Sequence, residues 1–205
     1  MSASERIHSM SEVLLALDPR PLRALRSTVV VSGIAVFRAR GIFDAYSANL
    51  APGAREALLS TVAGTWLPVD LADAHFAAVD ALHLGTEQNF DIGATSARRF
   101  GETLWGTALK MVRATGAIDP WRIFGPYDRL WNRSFDGGGV VVTRAGPKEA
   151  FVEIRAIPFS RYAYFRDALR GTHQSLLSLF AHALYVREVP RRTTHEGFTM
   201  RISWV

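Results

Sequence analysis

The sequence has no cysteine, and only two of its 24 basic residues are lysine, in a chain of 205 residues. Without cysteine there can be no disulfide, no thiolate metal site, no iron–sulfur cluster and no cysteine nucleophile. The metalloprotease, EF-hand, nucleophile-elbow and glycine-rich phosphate-binding motifs are absent as well. We therefore identify no catalytic residue and no set of metal ligands, and the sequence favours a non-enzymatic protein.

Long hydrophobic runs are also lacking. The longest apolar stretch, residues 29–37, is interrupted by Ser32 and Gly33 and ends at Arg38, whereas a membrane span needs about 20 apolar residues. The first residues lack the basic and apolar regions of a secretory signal. We expect a cytoplasmic protein without a membrane span.

The net charge of +5 is distributed unevenly along the chain. Residues 1–100 carry 9 basic and 10 acidic side chains, so the remaining residues carry 15 and 9. A GC-rich coding sequence explains the excess of arginine over lysine, although arginine also matches phosphate oxygens. No helix-turn-helix, RRM or KH pattern accompanies these arginines, so the sequence disfavours nucleic acid as the partner. The arginines that could form a basic surface are Arg155, Arg161, Arg166, Arg170, Arg187, Arg191, Arg192 and Arg201.

Helical and strand patterns separate at about residue 137. Upstream, hydrophobic spacing predicts helices over residues 34–49, 52–63, 69–84, 88–115 and 119–135, and a short strand or extended arm at residues 27–31. Downstream, an Asp136-Gly-Gly-Gly turn is followed by elements in β-β-α-β-β order. The sequence predicts one α+β domain over residues 1–205, in which a helical layer (1–136) covers a mainly antiparallel sheet of about four strands (137–205).

The long helix predicted after residue 161 carries one apolar stripe. Counting about 100° per residue from Tyr162, the stripe includes Phe165, Leu169, His173 and Leu176. His173 lies at the centre of the stripe. It is either a ligand contact in a hydrophobic cavity or, more simply, a neutral core histidine that is hydrogen-bonded inside the protein. The same two interpretations apply to His75, which lies on the stripe of another predicted helix.

Aromatic residues cluster between positions 105 and 131. Trp121, Phe124, Tyr127 and Trp131 are three or four residues apart, so they lie close to one face of a helix. Large aromatic side chains are typical both of ligand pockets and of protein cores. These residues therefore either line an aromatic pocket between helices and sheet or belong to an ordinary core. The ligand-lining residues predicted on this basis are His173, Tyr162, Phe165, Leu169, Leu176, Trp105, Trp121 and Phe124.

Several segments resemble an uncharacterised family of about 200 residues with many paralogues in myxobacteria. They are residues 93–106 with Phe100-Gly-Glu-Thr-Leu-Trp-Gly, the Pro120-Trp-Arg-Ile-Phe-Gly-Pro-Tyr-Asp-Arg-Leu-Trp segment, Ile157-Pro-Phe-Ser-Arg-Tyr and the closing Met200-Arg-Ile-Ser-Trp. That family is distantly similar to the nitric-oxide-signalling/Golgi-transport ligand-binding superfamily, which includes haem NO-binding, 4-vinyl-reductase and TRAPP-core domains. The resemblance implies an α+β fold with a hydrophobic pocket between helices and sheet.

The resemblance carries over no active site. Haem NO-binding domains hold the haem propionates with a Tyr-x-Ser-x-Arg motif, and this motif is absent from the sequence. The cysteines of some 4-vinyl-reductase and TRAPP-like members are absent too. His75 and His173 remain as nominal haem ligands.

These observations lead to one leading hypothesis and two alternatives. The leading hypothesis is a non-enzymatic small-ligand-binding or sensory module with an apolar pocket, whose partner is a small apolar ligand or a protein. The alternatives are a haem-based gas sensor and an Arg-rich module that binds nucleic acid or protein. The identity of the ligand, the presence of haem and the formation of a homodimer are left open.

Overall fold

The computed structural model describes residues 12–100 and 119–205, apart from the side chain of Phe100. The described residues form eight α-helices and six strands. The helices are α1 (Ser27–Ala39), α2 (Phe43–Ala48), α3 (Pro52–Leu59), α4 (Val69–Asp80), α5 (Thr86–Phe100), α6 (Trp121–Phe124), α7 (Tyr127–Ser134) and α8 (Ala163–Leu177). The strands are β1 (Glu12–Arg26), β2 (Trp66–Pro68), β3 (Phe135–Gly146), β4 (Glu149–Arg155), β5 (Leu184–Glu188) and β6 (Phe198–Trp204). No helix in these two ranges is long and apolar enough to cross a membrane.

The strands form one antiparallel sheet in the order β2-β1-β3-β4-β6-β5. The α+β class and the antiparallel pairing confirm the sequence prediction at that level. The predicted number of about four strands is wrong, because β1 and β2 come from the part of the chain that was expected to be helical. The four strands predicted downstream do form, and they pair as β3-β4-β6-β5 with α8 between β4 and β5 in the chain.

The predicted strand or extended arm at residues 27–31 is wrong, and strand β1 was not predicted. Residues 28–31 are β-branched, but they lie in the first turn of helix α1, where Val30, Ile34 and Phe37 are buried in the core. Packing of that apolar face outweighs the weak strand preference of valine. Strand β1 precedes α1 and contains Pro19 and Pro21, which the pairing with β3 accommodates through shifts of register.

Asp136-Gly-Gly-Gly is part of strand β3 and not a turn. Gly137 and Gly138 have φ angles of +113° and +66°, which favour glycine. A Cβ atom on Gly137 would lie 2.3 Å from the carbonyl oxygen of Pro21, and one on Gly138 would lie 2.4 Å from Cδ1 of Ile157. Gly137 is therefore required where β3 lies close to the proline-containing part of β1, and Gly138 is required where β3 packs against Ile157.

The predicted helix at residues 34–49 is divided by Gly41, which has a φ angle of +70°. The predicted helix at residues 119–135 is divided at Gly125 and Pro126 into α6 and α7. The predicted helix at residues 69–84 begins at Val69 as expected and ends at Asp80. The part of the predicted helix at residues 88–115 that falls within the structure corresponds to α5.

The two faces of the sheet differ in burial. On β4 and β6, alternate residues such as Val152, Ile154, Met200 and Ile202 are buried against the helices. Residues between them, such as Arg201, face away from the helices. This alternation is the pattern that the sequence predicts for β4 and β6.

The outermost strand, β5, is covered at its free edge by a side chain from α8. The backbone N–H of Val186 donates a hydrogen bond of 3.2 Å to Oε1 of Gln174. The opposite edge is β2, which has three residues and ends at Pro68.

Candidate functional site

Helices α5 and α8 cross at two glycines, and this crossing positions the residues predicted to bind a ligand. A Cβ atom on Gly93 would lie 1.9 Å from the carbonyl oxygen of Ala168, and a Cβ atom on Gly171 would lie 1.9 Å from that of Phe90. Thr172 also donates a hydrogen bond of 3.3 Å to the carbonyl oxygen of Gly93. Only glycine permits this backbone approach.

A buried carboxylate lies next to the crossing. Asp167 is 5% exposed, and it contacts Nη2 of Arg170 at 3.1 Å and Nδ2 of Asn89 at 3.4 Å. Burial raises the pKa of Asp167, while Arg170 and the hydrogen bond from Asn89 act in the opposite direction. Asp167 is thus paired with both side chains at the crossing of α5 and α8, whereas Nε of Arg170 has no hydrogen-bond partner within the described residues.

His173 is buried, and both of its ring nitrogens have partners inside the protein. Its Nδ1 lies 2.7 Å from the carbonyl oxygen of Leu169, one turn earlier on α8. Because a carbonyl can only accept, Nδ1 carries the proton, and Nε2 accepts from the hydroxyl of Tyr127. Burial lowers the pKa of His173 to about 4, so the imidazole is neutral at pH 7.

A chain of aromatic rings leads from His173 to the edge of the sheet. Ring centroids lie 6.1 Å apart for Tyr127 and Phe124, 5.7 Å for Phe124 and Trp121, and 4.8 Å for Trp121 and Trp204. The indole N–H of Trp121 donates to the carbonyl oxygen of Pro147 at 2.9 Å. The structure thus brings together three of the predicted residues, His173, Trp121 and Phe124.

The other predicted residues on or next to α8 lie in different surroundings. Phe165 is buried and packs on Phe76, with ring centroids 5.0 Å apart. Tyr162 is half-buried, and its hydroxyl donates to Asp73 at 3.2 Å. Leu169 and Leu176 are half-buried. Trp105 lies outside the described residues.

A second buried histidine lies on α4. His75 is 1% exposed, and its Nδ1 lies 2.8 Å from the hydroxyl of Tyr46 on α2. Its ring is packed among those of Tyr46, Phe76, Phe37 and Tyr164, with centroid distances of 5.4, 5.1, 6.0 and 6.4 Å. Burial lowers the pKa of His75 to about 3. The partner Tyr46 is missed by sequence analysis because it belongs to another helix.

A recess of about 420 Å³ opens between α1 and α5. Val31, Ser32, Ala35 and Arg99 line it. Arg99 forms no ion pair within residues 12–100 and 119–205. No sequence pattern indicates this recess, because Val31 and Ala35 are ordinary helix residues and Arg99 is one arginine among many.

The described residues do not fit a haem. The chain has six histidines. Of these, His83, His182 and His195 are exposed, and His8 lies outside the described residues. Both nitrogens of His173 are occupied, and His75 is enclosed by aromatic rings and bonded to Tyr46. Within the described ranges, no group of three or more His, Asp or Glu residues could hold a metal ion.

Comparison with solved structures identifies the fold as that of H-NOX domains. An oxygen-binding H-NOX domain related to soluble guanylate cyclases matches with a TM-score of 0.58 and 15% identity, covering 88% of this chain and 95% of that one. An Fe(II) unliganded mutant H-NOX protein from K. algicida matches with a TM-score of 0.62 and 6% identity, covering 88% and 97%. An H-NOX structure used to probe haem distortion matches with a TM-score of 0.59 and 16% identity, covering 88% of this chain and 95% of that one. No family model matches the sequence, and the search of curated proteins gives no match.

This likeness confirms the fold that the family resemblance implied. At identities of 6–16% it establishes the fold alone and transfers no ligand.

Proposed function

We propose that this protein is a small-ligand-binding, sensory or regulatory module without catalytic activity of its own. The observation that carries the proposal is the H-NOX fold over 88% of the chain, a fold that includes an oxygen-binding domain. The sequence adds that no nucleophile, metal site or paired acid and base stands out.

We place the ligand in the recess between α1 and α5. Its volume of about 420 Å³ lies within the range of roughly 300–1,000 Å³ that is usual for small-molecule sites. Val31 and Ala35 offer an apolar wall, and Ser32 and Arg99 offer a hydroxyl and a guanidinium. This combination suits an apolar molecule with one anionic group, which arginine binds through charge-assisted hydrogen bonds.

The interior around His173 is the second location for the ligand. There the carbonyl oxygen of Leu169 accepts a hydrogen bond from His173, Phe124 packs on Tyr127, and Trp121 packs on Phe124. A ligand that enters this region has to displace packed rings or break the hydrogen bond between Tyr127 and His173. The recess requires neither change, so the geometry favours it.

Thermal unfolding of the purified chain tests the proposal. The probe is decanoate, and the matched control is the uncharged decanol. We expect decanoate to raise the melting temperature more than decanol does. Arg99→Gln should weaken decanoate binding about tenfold, whereas the neighbouring Arg98→Gln should retain it, because Arg98 already contacts Thr95.

Two results decide between the alternatives. Binding that survives Arg99→Gln but is lost in Tyr127→Phe moves the site to the interior around His173. Native mass spectrometry and lipid extraction that detect no small molecule, together with no shift from either probe, refute the ligand-binding module.

The second candidate, a haem-based gas sensor, is motivated by the haem named for the structural neighbours. Absorption spectra after addition of haemin test it. Because the contacts of His75 and His173 do not fit an axial ligand, we expect no Soret band characteristic of histidine ligation, and such a band would reverse this conclusion.

A further inference from the structure

The outer face of the sheet, which points away from the helices, carries a cluster of arginines at β5 and β6. Arg187 on β5 lies directly opposite Arg201 on β6, and Arg201 lies opposite Phe151 on β4. The guanidinium of Arg192, in the turn after β5, lies 5.1 Å from the centre of the Phe151 ring. We call Arg187, Arg192 and Arg201 with the adjacent Tyr185 the basic face.

Two like charges directly opposite each other on neighbouring strands oppose folding. Arg201 is compensated by Glu149, with Nε–Oε1 and Nη2–Oε2 distances of 2.6 and 3.1 Å. Arg187 and Arg192 form no ion pair within the described ranges of the chain. The other acidic residue on this side of β4, Glu153, already binds Arg155 at 2.7 Å. Arg187 and Arg192 therefore keep positive charge that no ion pair within the described ranges compensates, and at Arg187 this charge opposes folding.

An exposed aromatic residue lies beside this charge. Tyr185 is 53% exposed and faces the same side of the sheet as Arg187. Val205 is 64% exposed and pairs with Ala183, next to Tyr185. Tyrosine and arginine are the residues that most often anchor protein–protein interfaces. A partner can thus bury Tyr185 and Val205 while it neutralises the arginines.

The aromatic pattern distinguishes between classes of polyanion. Single-stranded nucleic acid binds sheets on which several exposed rings stack against bases. On this face the ring of Phe151 is covered by Arg192, which leaves Tyr185 as the exposed aromatic side chain beside these arginines. The other exposed aromatic residue of the described strands, Trp66, lies on β2 at the opposite edge of the sheet, where Arg26 covers its ring. Charge complementarity with one aromatic anchor fits an acidic protein segment better than it fits nucleic acid.

We infer that the basic face is a docking surface for an acidic segment of a partner protein. This inference does not depend on the ligand site between α1 and α5, which lies on a different part of the molecule.

Fluorescence anisotropy of a labelled twelve-residue peptide, titrated with the full chain, tests the inference. The peptide alternates Asp and Glu and has one central Leu. We expect binding at low salt that weakens steeply as salt is added. The double variant Arg187→Glu and Arg192→Glu should bind the peptide at least about tenfold more weakly. The matched control, Arg20→Glu and Arg129→Glu, has the same change in net charge at two exposed arginines elsewhere and should change affinity less than about twofold.

Thermal unfolding separates docking from folding. Arg187→Glu places an acid opposite Arg201, so its melting temperature should equal or exceed that of the wild type, although peptide binding is lost. If the double variant does not fold, Arg187→Gln and Tyr185→Ser, measured singly, should each weaken peptide binding.

The inference is overturned if the peptide does not bind, or if the control variant loses as much affinity as the double variant. It is also overturned if a twelve-nucleotide single-stranded DNA binds more tightly than the peptide and depends on Arg187 in the same way, because the surface then recognises nucleic acid.

Discussion

Replacing Gly93 by alanine should destabilise the protein strongly, although alanine is the better helix former. In a helix interior the change from glycine to alanine favours folding by about 1 kcal/mol. At Gly93, however, the new Cβ atom would lie 1.9 Å from the carbonyl oxygen of Ala168, whereas an ordinary contact is 3.4 Å or longer. The obstacle is backbone, so it cannot rotate away, and α5 and α8 must separate.

Overpacking that shifts backbone costs typically about 1–3 kcal/mol, and here it reaches or exceeds the upper end because two whole helices must move. Separation also weakens the contacts of Asp167 with Asn89 and Arg170. After the gain in helix propensity is subtracted, we expect Gly93→Ala to lower the free energy of unfolding by about 2 kcal/mol or more.

Equilibrium urea unfolding, followed by tryptophan fluorescence, measures this difference. Gly53 provides the matched control, because it lies in helix α3 and a Cβ atom there would meet nothing within 4 Å. Gly53→Ala should raise the free energy of unfolding by up to about 1 kcal/mol. A Gly93→Ala protein that is as stable as the wild type would refute the close crossing of α5 and α8.

Two further predictions concern the buried histidines. Burial holds the pKa values of His75 and His173 at about 3 and 4, below the ordinary value of 6.5. As the pH falls below about 6.5, the unfolded chain takes up protons at these residues before the folded chain does, so each histidine lowers stability by up to about 1.4 kcal/mol per pH unit until its folded pKa is reached. Urea midpoints at pH 7 and pH 5 measure the loss, and a His173→Leu variant with an unchanged pH dependence would contradict it. Tyr127→Phe removes the donor to Nε2 of His173 and should lower the free energy of unfolding by about 1–2 kcal/mol in the same assay. Tyr185→Phe, at an exposed position, should have little effect. Equal losses of stability in the two variants would contradict the buried hydrogen bond.

Sequence patterns predicted the elements whose neighbours are local and failed where distant segments decide the structure. Alternation of apolar and polar residues predicted strand β6 at residues 198–204, and it predicted correctly which side of β4 is buried. Strand β1 was missed because two prolines within four residues indicate a loop. Its prolines lie against two glycines of β3, Gly137 and Gly139, which come more than 100 residues later and let the two strands approach closely.

The same limit applies to the candidate sites. Helical spacing correctly placed His173 in the interior, since an apolar stripe determines which side of a helix is buried. It could not supply the partner, because Tyr127 is 46 residues away in the chain and reaches His173 only through tertiary packing. The pairing of Arg187 with Arg201 required the register of β5 on β6, which no composition or spacing encodes.

The treatment of the sheet edges has a consequence for how copies of this protein behave at high concentration. An open strand edge offers unpaired N–H and C=O groups, and it can recruit a strand from another molecule into a growing fibre. Here Gln174 occupies the N–H of Val186 on β5. On the other side of the sheet β2 pairs only with Ala24, Leu25 and Arg26 of β1, and Pro19 and Pro21 interrupt the row of N–H donors along the rest of that strand. Both edges therefore present an interrupted row of donors, which disfavours growth from edge to edge.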